Sequence, residues 1–278
     1  MTEPQFRHQF REIIARDAEH IDLAQASLLI AGEEYPTLDV GHYLARIEEL
    51  AARLASRVRD AHDPAEAASA LSGLLFHEEG FRGNTNRYYD PRNSFLNDVL
   101  DRHTGIPISL STVYMEVASR AGLAVDGVGL PGHFVVRVHA AGEGVLVDPF
   151  NGGSVLSRAD CQDRLNRIYE GRVKLEEEML APCGRRDILA RLLGNLKGIY
   201  LREEDYPRAL RIVELLLLVE PDSVQELRDR GLVYAAMDCY GLAARDLAAY
   251  QERVPGSPEG PFLAKKIDEM RRKAARLN

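Results

Sequence analysis

The sequence predicts an α+β protein in which helical regions at both ends flank a small antiparallel sheet. Three observations predict this fold class. Apolar residues recur at helical spacing over residues 1–80, the period changes to strand-type alternation between about 125 and 155, and a helical repeat occupies the last third of the chain. With 278 residues, 45% of them hydrophobic, the chain can bury one large core or two modest ones.

The N-terminal 80 residues predict amphipathic helices that act as scaffold. Their apolar residues are spaced three and four apart, which places them on one face of a helix. They are Phe6, Phe10, Ile13 and Ile14 in one segment, and Leu44, Ile47, Leu50, Leu54 and Val58 in another. An irregular segment, Asn84 to Arg92, then leads into a short helix from Leu96 to Leu100.

A further helix, predicted from about Pro107 to Ala121, carries a candidate nucleophile. Proline is tolerated in a first helical turn, and Gly122 supplies a natural end. Ser109 falls in the first turn, where backbone N–H groups point at any developing negative charge. A serine hydroxyl there still needs a neighbouring base, because it is a weak nucleophile at its ordinary pKa. The alternative is that Ser109 or Ser111 only caps the turn.

The candidate base and its partner flank two predicted strands. Residues 134–138 and 145–147 are rich in valine and are joined by a Gly-containing stretch. If they form a hairpin centred about Ala141, His133 falls opposite Asp148, with Cβ atoms about 4.5–5.5 Å apart. A carboxylate on one imidazole nitrogen fixes the tautomer and stabilises the imidazolium. Ser109, His133 and Asp148 therefore form a candidate nucleophile–base–orienter triad.

The C-terminal region contains a repeat with a period of 34 residues. Similar residues recur at that offset, namely Ile199 and Val233, Tyr200 and Tyr234, Tyr206 and Tyr240, Ala209 and Ala243, Pro221 and Pro255, and Ser223 and Ser257. This period is typical of tetratricopeptide units, in which helix–turn–helix pairs stack. Two copies and a closing helix are too few for a free-standing array, so we expect the repeats to pack against the core.

Composition narrows the function classes. The net charge of −8 argues against a broad nucleic-acid surface, although the last sixteen residues hold six basic residues. Neither a membrane span nor a signal peptide is predicted, so we expect a cytoplasmic protein without a membrane partner. The three cysteines, Cys161, Cys183 and Cys239, form no Cys-x-x-Cys pair, and no cofactor or metal site is predicted.

Several segments resemble the SirB-like bacterial family, whose members are similar to transglutaminases in their core and carry a tetratricopeptide tail. The resembling segments are residues 28–36, 88–100, 104–111, 128–134 and 148–153. The resemblance implies a helical N-terminal region over residues 1–80, a transglutaminase-like (papain-like) core over 81–180 and tetratricopeptide-like hairpins over 181–278.

The resemblance also assigns the site. The family's nucleophile precedes the glycine that ends its helix by about thirteen residues, which selects Ser109 before Gly122, and its histidine and aspartate match His133 and Asp148. Serine replaces the nucleophilic cysteine, so we do not expect true transglutamination, which uses a thiolate. Asn97 is a candidate oxyanion donor, or else it closes a turn.

Three function classes remain open. The first is a regulatory or adaptor protein that binds another protein through its repeats and cleft. The second is a Ser-His-Asp hydrolase or acyltransferase acting on a peptide, amide or ester. The third is a pocket that binds a peptide or small amide without cleaving it. The sequence favours the first and indicates no oligomeric state.

Overall fold

Helices make up most of the regular structure. The computed structural model describes residues 5–59, 61, 63–139 and 144–277. The chain forms two units, Met1–Leu192 and Leu193–Asn278. The helices that begin in the first unit are α1 (Gln5–Ile14), α2 (Leu23–Gly32), α3 (Val40–Val58), α4 (Pro64–Ser72), α5 (Leu96–Arg102), α6 (Pro107–Arg120), α7 (Arg158–Tyr169) and α8 (Arg185–Arg202).

Aspartate N-caps set the starts of three N-terminal helices. Asp22, Asp39 and Asp63 precede α2, α3 and α4, and each carboxylate accepts a hydrogen bond from a backbone N–H of the turn that follows. The helical periodicity read from the sequence is confirmed, because the buried residues of α1 and α3 are Phe10, Ile13, Ile14, Ile47, Leu50, Ala51, Leu54 and Val58.

Helix α6 forms the centre of the first unit. It begins at Pro107 and ends within one residue of the predicted Ala121, and Gly122 follows with φ +89°. Every residue from Pro107 to Ala118 is buried. Such complete burial on all faces is typical of a central core helix, and it places the hydroxyls of Ser109, Ser111 and Thr112 out of reach of solvent.

The strands form two small sheets. Strands β1 (Arg82–Gly83) and β2 (Thr104–Gly105) pair in parallel. Strands β3 (Ala124–Val128), β4 (Val135–His139), β5 (Val145–Asp148) and β6 (Ser154–Leu156) pair in that order as an antiparallel meander. The predicted small antiparallel sheet is therefore confirmed, and one apolar cluster joins it to α7 through Cys161.

The register of the β4–β5 hairpin differs by two residues from the expected one. Val136 pairs with Val147 and Val138 with Val145, so Asp148 continues the register opposite Val135 rather than His133. The expected centre, Ala141, lies outside the described residues. His133 precedes β4 in a turn in which its N–H bonds to the carbonyl of Leu130 at 3.0 Å. The alternation of side chains specifies which face of the sheet each one occupies. A shift of the pairing by two residues leaves every side chain on the same face, so alternation does not distinguish the two registers.

The second unit confirms the 34-residue repeat. It continues with α9 (Tyr206–Val219), α10 (Val224–Ala236), α11 (Tyr240–Arg253) and α12 (Gly260–Leu277). Both ends of α11 lie 34 residues after those of α9. The turns before these helices repeat as well, because Glu204 and Asp238 adopt φ of 56° and 59°. Among the described residues, no helix is both long and apolar enough to cross a membrane.

Candidate functional site

His133 and Asp148 are in direct contact. His133 Nε2 lies 2.9 Å from Asp148 Oδ2, and the side chain of Asp148 is fully buried while that of His133 is 10% exposed. The strand β5 ends at Asp148, and the turn before β4 presents His133 beside it. Two of the four predicted site residues are thus in contact, and a hydrogen bond at this distance can orient the imidazole.

Asp148 also holds the turn that follows it. Its Oδ1 accepts hydrogen bonds from the backbone N–H groups of Phe150 and Asn151 at 3.0 and 3.2 Å, and the Asn151 amide donates to Oδ2 at 2.8 Å. The chain then reverses at Gly152 and Gly153, with φ of 70° and 73°, a conformation that favours glycine. The Asp148 carboxylate is therefore a structural cap as well as a partner of the histidine.

An arginine side chain also faces the same carboxylate. Arg164, from α7, places Nη2 2.5 Å from Asp148 Oδ2. Burial acts to raise the pKa of Asp148, but the hydrogen bond and charge of His133, the Asn151 amide and the Arg164 guanidinium outweigh it, so the pKa lies below its ordinary value. Nothing in the sequence marked Arg164 as a site residue, because its partner is 16 positions away and on another element.

The Ser109 hydroxyl is hydrogen-bonded to backbone groups. Its Oγ donates to the carbonyl of Asn93 at 2.5 Å and accepts from the N–H of Ile106 at 3.1 Å. The residue is fully buried. Among the described residues, no hydrogen bond joins Ser109 to His133. The hydroxyl caps the first turn of α6, which was the alternative role considered for it, and its catalytic role stays a prediction.

Asn93 connects that cap to the loop before it. Its side-chain amide donates to the carbonyls of Arg87 and Tyr88 at 2.6 and 3.1 Å, and its Oδ1 accepts from Asn84 at 3.0 Å. It is fully buried. Asn93 therefore fixes the irregular segment 84–92 against the start of α6, a role that the sequence did not indicate.

Aromatic side chains extend from that segment to His133. Tyr88 meets Phe150 edge-on with ring centres 6.1 Å apart, and Phe150 meets His133 in the same manner at 6.1 Å. Phe150 in turn lies over Gly83, where an added Cβ would come within 2.7 Å of its ring. Burial raises the pKa of the Tyr88 hydroxyl. Phe150 thus connects the segment that holds Tyr88 to His133.

Arg191 supports the backbone around His133. Its Nη2 donates to the carbonyls of Leu130 and His133 at 2.8 and 2.7 Å, and its guanidinium stacks over the Phe134 ring at 5.5 Å. The arginine therefore fixes the turn that carries the histidine, and it is another residue that the sequence did not single out.

Asn97 lies in the first turn of α5, 6% exposed. Its Oδ1 has no hydrogen-bond partner among the described residues. The N-cap of α5 is Phe95, so Asn97 is not the capping residue. The proposed oxyanion role requires its amide N–H₂ group, and that role stays a prediction. Within the described part of the chain, no group of three or more His, Cys, Asp or Glu side chains is arranged to hold a metal ion.

A buried His–Asp pair beside a central helix, followed by stacked helical pairs, defines a transglutaminase-like protein with a tetratricopeptide tail. Residues 41–194 match the family model of the transglutaminase-like superfamily, and residues 196–275 match a tetratricopeptide repeat model. No solved structure gives a significant match.

Curated relatives narrow the family further. A UPF0162 protein of Xylella fastidiosa (strain 9a5c) is 38% identical over 87% of this chain and 87% of its own length. The UPF0162 protein YchA of Escherichia coli (strain K12) is 30% identical and Protein SirB1 of Salmonella typhimurium is 28% identical, each over 86% of this chain and 88% of the relative. The chain belongs to the SirB-like (UPF0162) family.

Proposed function

We propose that this chain is a regulatory or adaptor protein that binds another protein through its repeats and its transglutaminase-like cleft, without acyl transfer at Ser109. The observation that carries the proposal is the hydrogen bonding of the Ser109 hydroxyl. Its proton is committed to the Asn93 carbonyl at 2.5 Å, and the residue is fully buried. A nucleophile must instead pass its proton to a base within hydrogen-bond reach.

The part of the proposal that concerns partner binding rests on the repeats. Tetratricopeptide repeats fit a protein-interaction role, and stacking buries the faces between repeats while one curved surface stays free. The second unit carries a groove of about 620 Å³, lined by residues of the five helices α8 to α12. A volume of this size is within the range of ligand sites.

The His133–Asp148 contact favours a second candidate function, a Ser-His-Asp hydrolase or acyltransferase. The distance of 2.9 Å is the one a catalytic dyad requires. For this function Ser109 would have to leave the Asn93 carbonyl and turn toward the imidazole. The same His–Asp contact also has a stabilising role, since Asp148 is buried and needs partners.

A fluorophosphonate probe separates the two functions, because it phosphonylates a serine oxygen activated by a base and releases fluoride. We expect no modification of Ser109 in the folded chain, measured by peptide mass spectrometry. Modification of Ser109 that disappears in His133→Ala would overturn the adaptor proposal and support the hydrolase.

Alkylation of Ser109→Cys by iodoacetamide at neutral pH is an independent test. A cysteine poised near a base at a helix start reacts as thiolate, whereas a buried capping position does not. We expect Cys at position 109 to react more slowly than a free-thiol standard, with the three native cysteines resolved as separate peptides. Faster reaction than the standard would contradict the proposal.

The binding half is tested by capture from a bacterial lysate with the full-length chain. Phe262→Ala removes an exposed groove residue, and Leu242→Ala is the matched control, an exposed apolar residue of α11 outside the groove. We expect partner recovery to fall several-fold with Phe262→Ala alone. Equal recovery with both variants would remove the groove from the proposal.

A further inference from the structure

The groove of the second unit contains aromatic and basic side chains side by side. Phe262 is 63% exposed. Tyr206 and Tyr240 line the same groove and are half-buried. Aromatic side chains with one face free are typical anchors for a partner's apolar residues.

The acidic side chains of the groove already have donors. Asp229 Oδ2 lies 2.8 Å from Lys197 Nζ, and Glu269 Oε1 lies 2.8 Å from Lys273 Nζ. Asp238 accepts a hydrogen bond from the Tyr240 hydroxyl at 2.6 Å. These carboxylates are therefore occupied within the unit.

Two lysines of the groove, Lys265 and Lys266, differ from these carboxylates in having no ion-pair partner among the described residues. Lys266 Nζ lies 5.7 Å from the centre of the Phe262 ring, so the exposed aromatic ring and an unpaired ammonium group are neighbours. A ligand for this part of the groove should bring both a carboxylate and an apolar side chain.

The surrounding helix strengthens the positive potential. Residues 263–277 hold six basic and two acidic residues, although the whole chain has a net charge of −8. Both acidic residues have basic neighbours on the same helix, since Asp268 lies 3.9 Å from Arg271 and Glu269 pairs with Lys273. A local basic strip on an acidic protein attracts acidic partners and sets their orientation.

We propose that this groove binds an acidic peptide segment of a partner protein, with carboxylates at Lys265 and Lys266 and an apolar side chain against Phe262. The inference rests on the proposed function, and it adds the chemistry of the partner. A peptide is favoured over a nucleic acid because apolar and aromatic residues of five helices line the groove, whereas nucleic-acid surfaces are more uniformly basic.

The acidic-peptide proposal is tested by selecting binders from a randomised twelve-residue peptide display library on the immobilised full-length chain. The double variant Lys265→Glu with Lys266→Glu reverses the two unpaired charges. The matched control, Arg271→Glu with Arg272→Glu, makes the same charge change on exposed residues of α12 that do not line the groove. Circular dichroism and thermal melting confirm that both variants fold.

We expect the selected peptides to be rich in Asp and Glu next to Leu, Phe or Tyr. A synthetic copy of the most enriched peptide, followed by fluorescence anisotropy, should bind the Lys265/Lys266 variant at least tenfold more weakly and the control within about threefold. Binding should also weaken between 50 and 500 mM salt, as expected for exposed charge pairs.

Each other outcome overturns the inference in a different way. Enrichment of neutral or basic peptides whose binding is lost in Phe262→Ala would refute the acidic partner and leave the proposed adaptor function intact. Absence of any enriched peptide, with a control bait selected in parallel, would count against the adaptor function as well. Tighter binding of a labelled twenty-residue oligothymidylate than of any selected peptide, lost in the lysine variant, would identify a nucleic-acid surface instead.

Discussion

Ser109 and Ser111 lie two residues apart in the first turns of α6, and both are fully buried. Only Ser109 makes hydrogen bonds, to Asn93 and Ile106, while Ser111 Oγ has no partner among the described residues. The two hydroxyls therefore offer a matched pair for separating a structural role from simple burial.

We predict that Ser109→Ala lowers the free energy of unfolding by about 2 kcal/mol, because it leaves buried backbone groups without partners. Ser111→Ala should change it by about 0.5 kcal/mol or less, or increase it, since a buried hydroxyl without a partner is itself unfavourable. Urea unfolding of both variants gives the comparison. Equal effects would show that the Ser109 hydrogen bonds contribute nothing specific.

The lowered pKa of Asp148 predicts that the free energy of unfolding depends on pH. Its pKa is lower in the folded protein than the ordinary value of about 3.9, so the unfolded chain binds a proton more readily. The stabilisation by the carboxylate is therefore complete above about pH 5 and is lost as the pH falls through the folded-state pKa.

Asp148→Asn should cost about 3 kcal/mol at pH 7, because it leaves Arg164 and His133 without their anionic partner. The difference from the unmodified chain should begin to shrink below about pH 4, where Asp148 is protonated in the unfolded chain, and should disappear as the pH falls through the lower folded-state pKa. Urea midpoints at pH 7, 5 and 3.5 measure this. Asp126→Asn, which removes another histidine-bonded carboxylate of the sheet, is the control. A difference that is constant with pH would contradict the assignment.

At the scale of elements, the repeat depends on close approach of α10 and α11. A Cβ placed on Gly231 would lie 2.8 Å from Leu247 Cγ, whereas a Cβ on Gly198 of α8 would meet nothing within 4 Å. Gly231 is buried and Gly198 is exposed. One glycine is required by packing, and the other is not.

We predict that Gly231→Ala destabilises the second unit by about 1–3 kcal/mol through overpacking. Gly198→Ala should stabilise it by about 0.5–1 kcal/mol, because alanine favours an exposed helical position. Thermal melts followed by circular dichroism distinguish the two signs. Stabilisation by both substitutions would show that α10 can shift away from Leu247 without cost.

Elements with strong local signals were predictable from the sequence. Pro107 and Gly122 bracket α6 because each has a restricted or special backbone conformation, and the 34-residue period fixed both α9 and α11. The hairpin register was not predictable to the residue, because β-branched alternation in β4 and β5 permits a shift by two. The division of the first unit into residues 1–80 and 81–180 stays a prediction.

The candidate site was predictable only in part for a related reason. The His133–Asp148 contact was predictable because the two residues flank neighbouring strands, although His133 lies in the turn before β4 rather than opposite Asp148. Ser109's orientation depends on the Asn93 carbonyl, sixteen residues earlier, and Asp148's third partner, Arg164, comes from α7. Such contacts are set by tertiary packing and leave no periodic or local pattern in the sequence.

At the scale of the whole molecule, the reactivity of the native cysteines reports whether each unit is folded. Cys161 is fully buried in the apolar cluster of the first unit, while Cys239 of the second unit is half-buried. Burial raises the pKa of the Cys161 thiol, which further reduces its thiolate fraction.

We predict that Cys161 is protected from iodoacetamide at pH 8 until urea unfolds the unit Met1–Leu192, and that Cys239 reacts faster in the native protein. Peptide mass spectrometry across a urea series resolves the two thiols. Native-state labelling of Cys161 at the rate of Cys239 would contradict the packing of β3–β6 against α7.

The double role of Asp148 has an evolutionary consequence. One carboxylate closes the Phe150–Asn151 turn and also holds the histidine. A lineage that lost an ancestral acyl-transfer reaction would still be selected to retain this aspartate, because folding alone requires it, and the histidine would be retained as its buried partner. Retention of the His–Asp pair in a descendant is therefore no evidence by itself that acyl transfer persists.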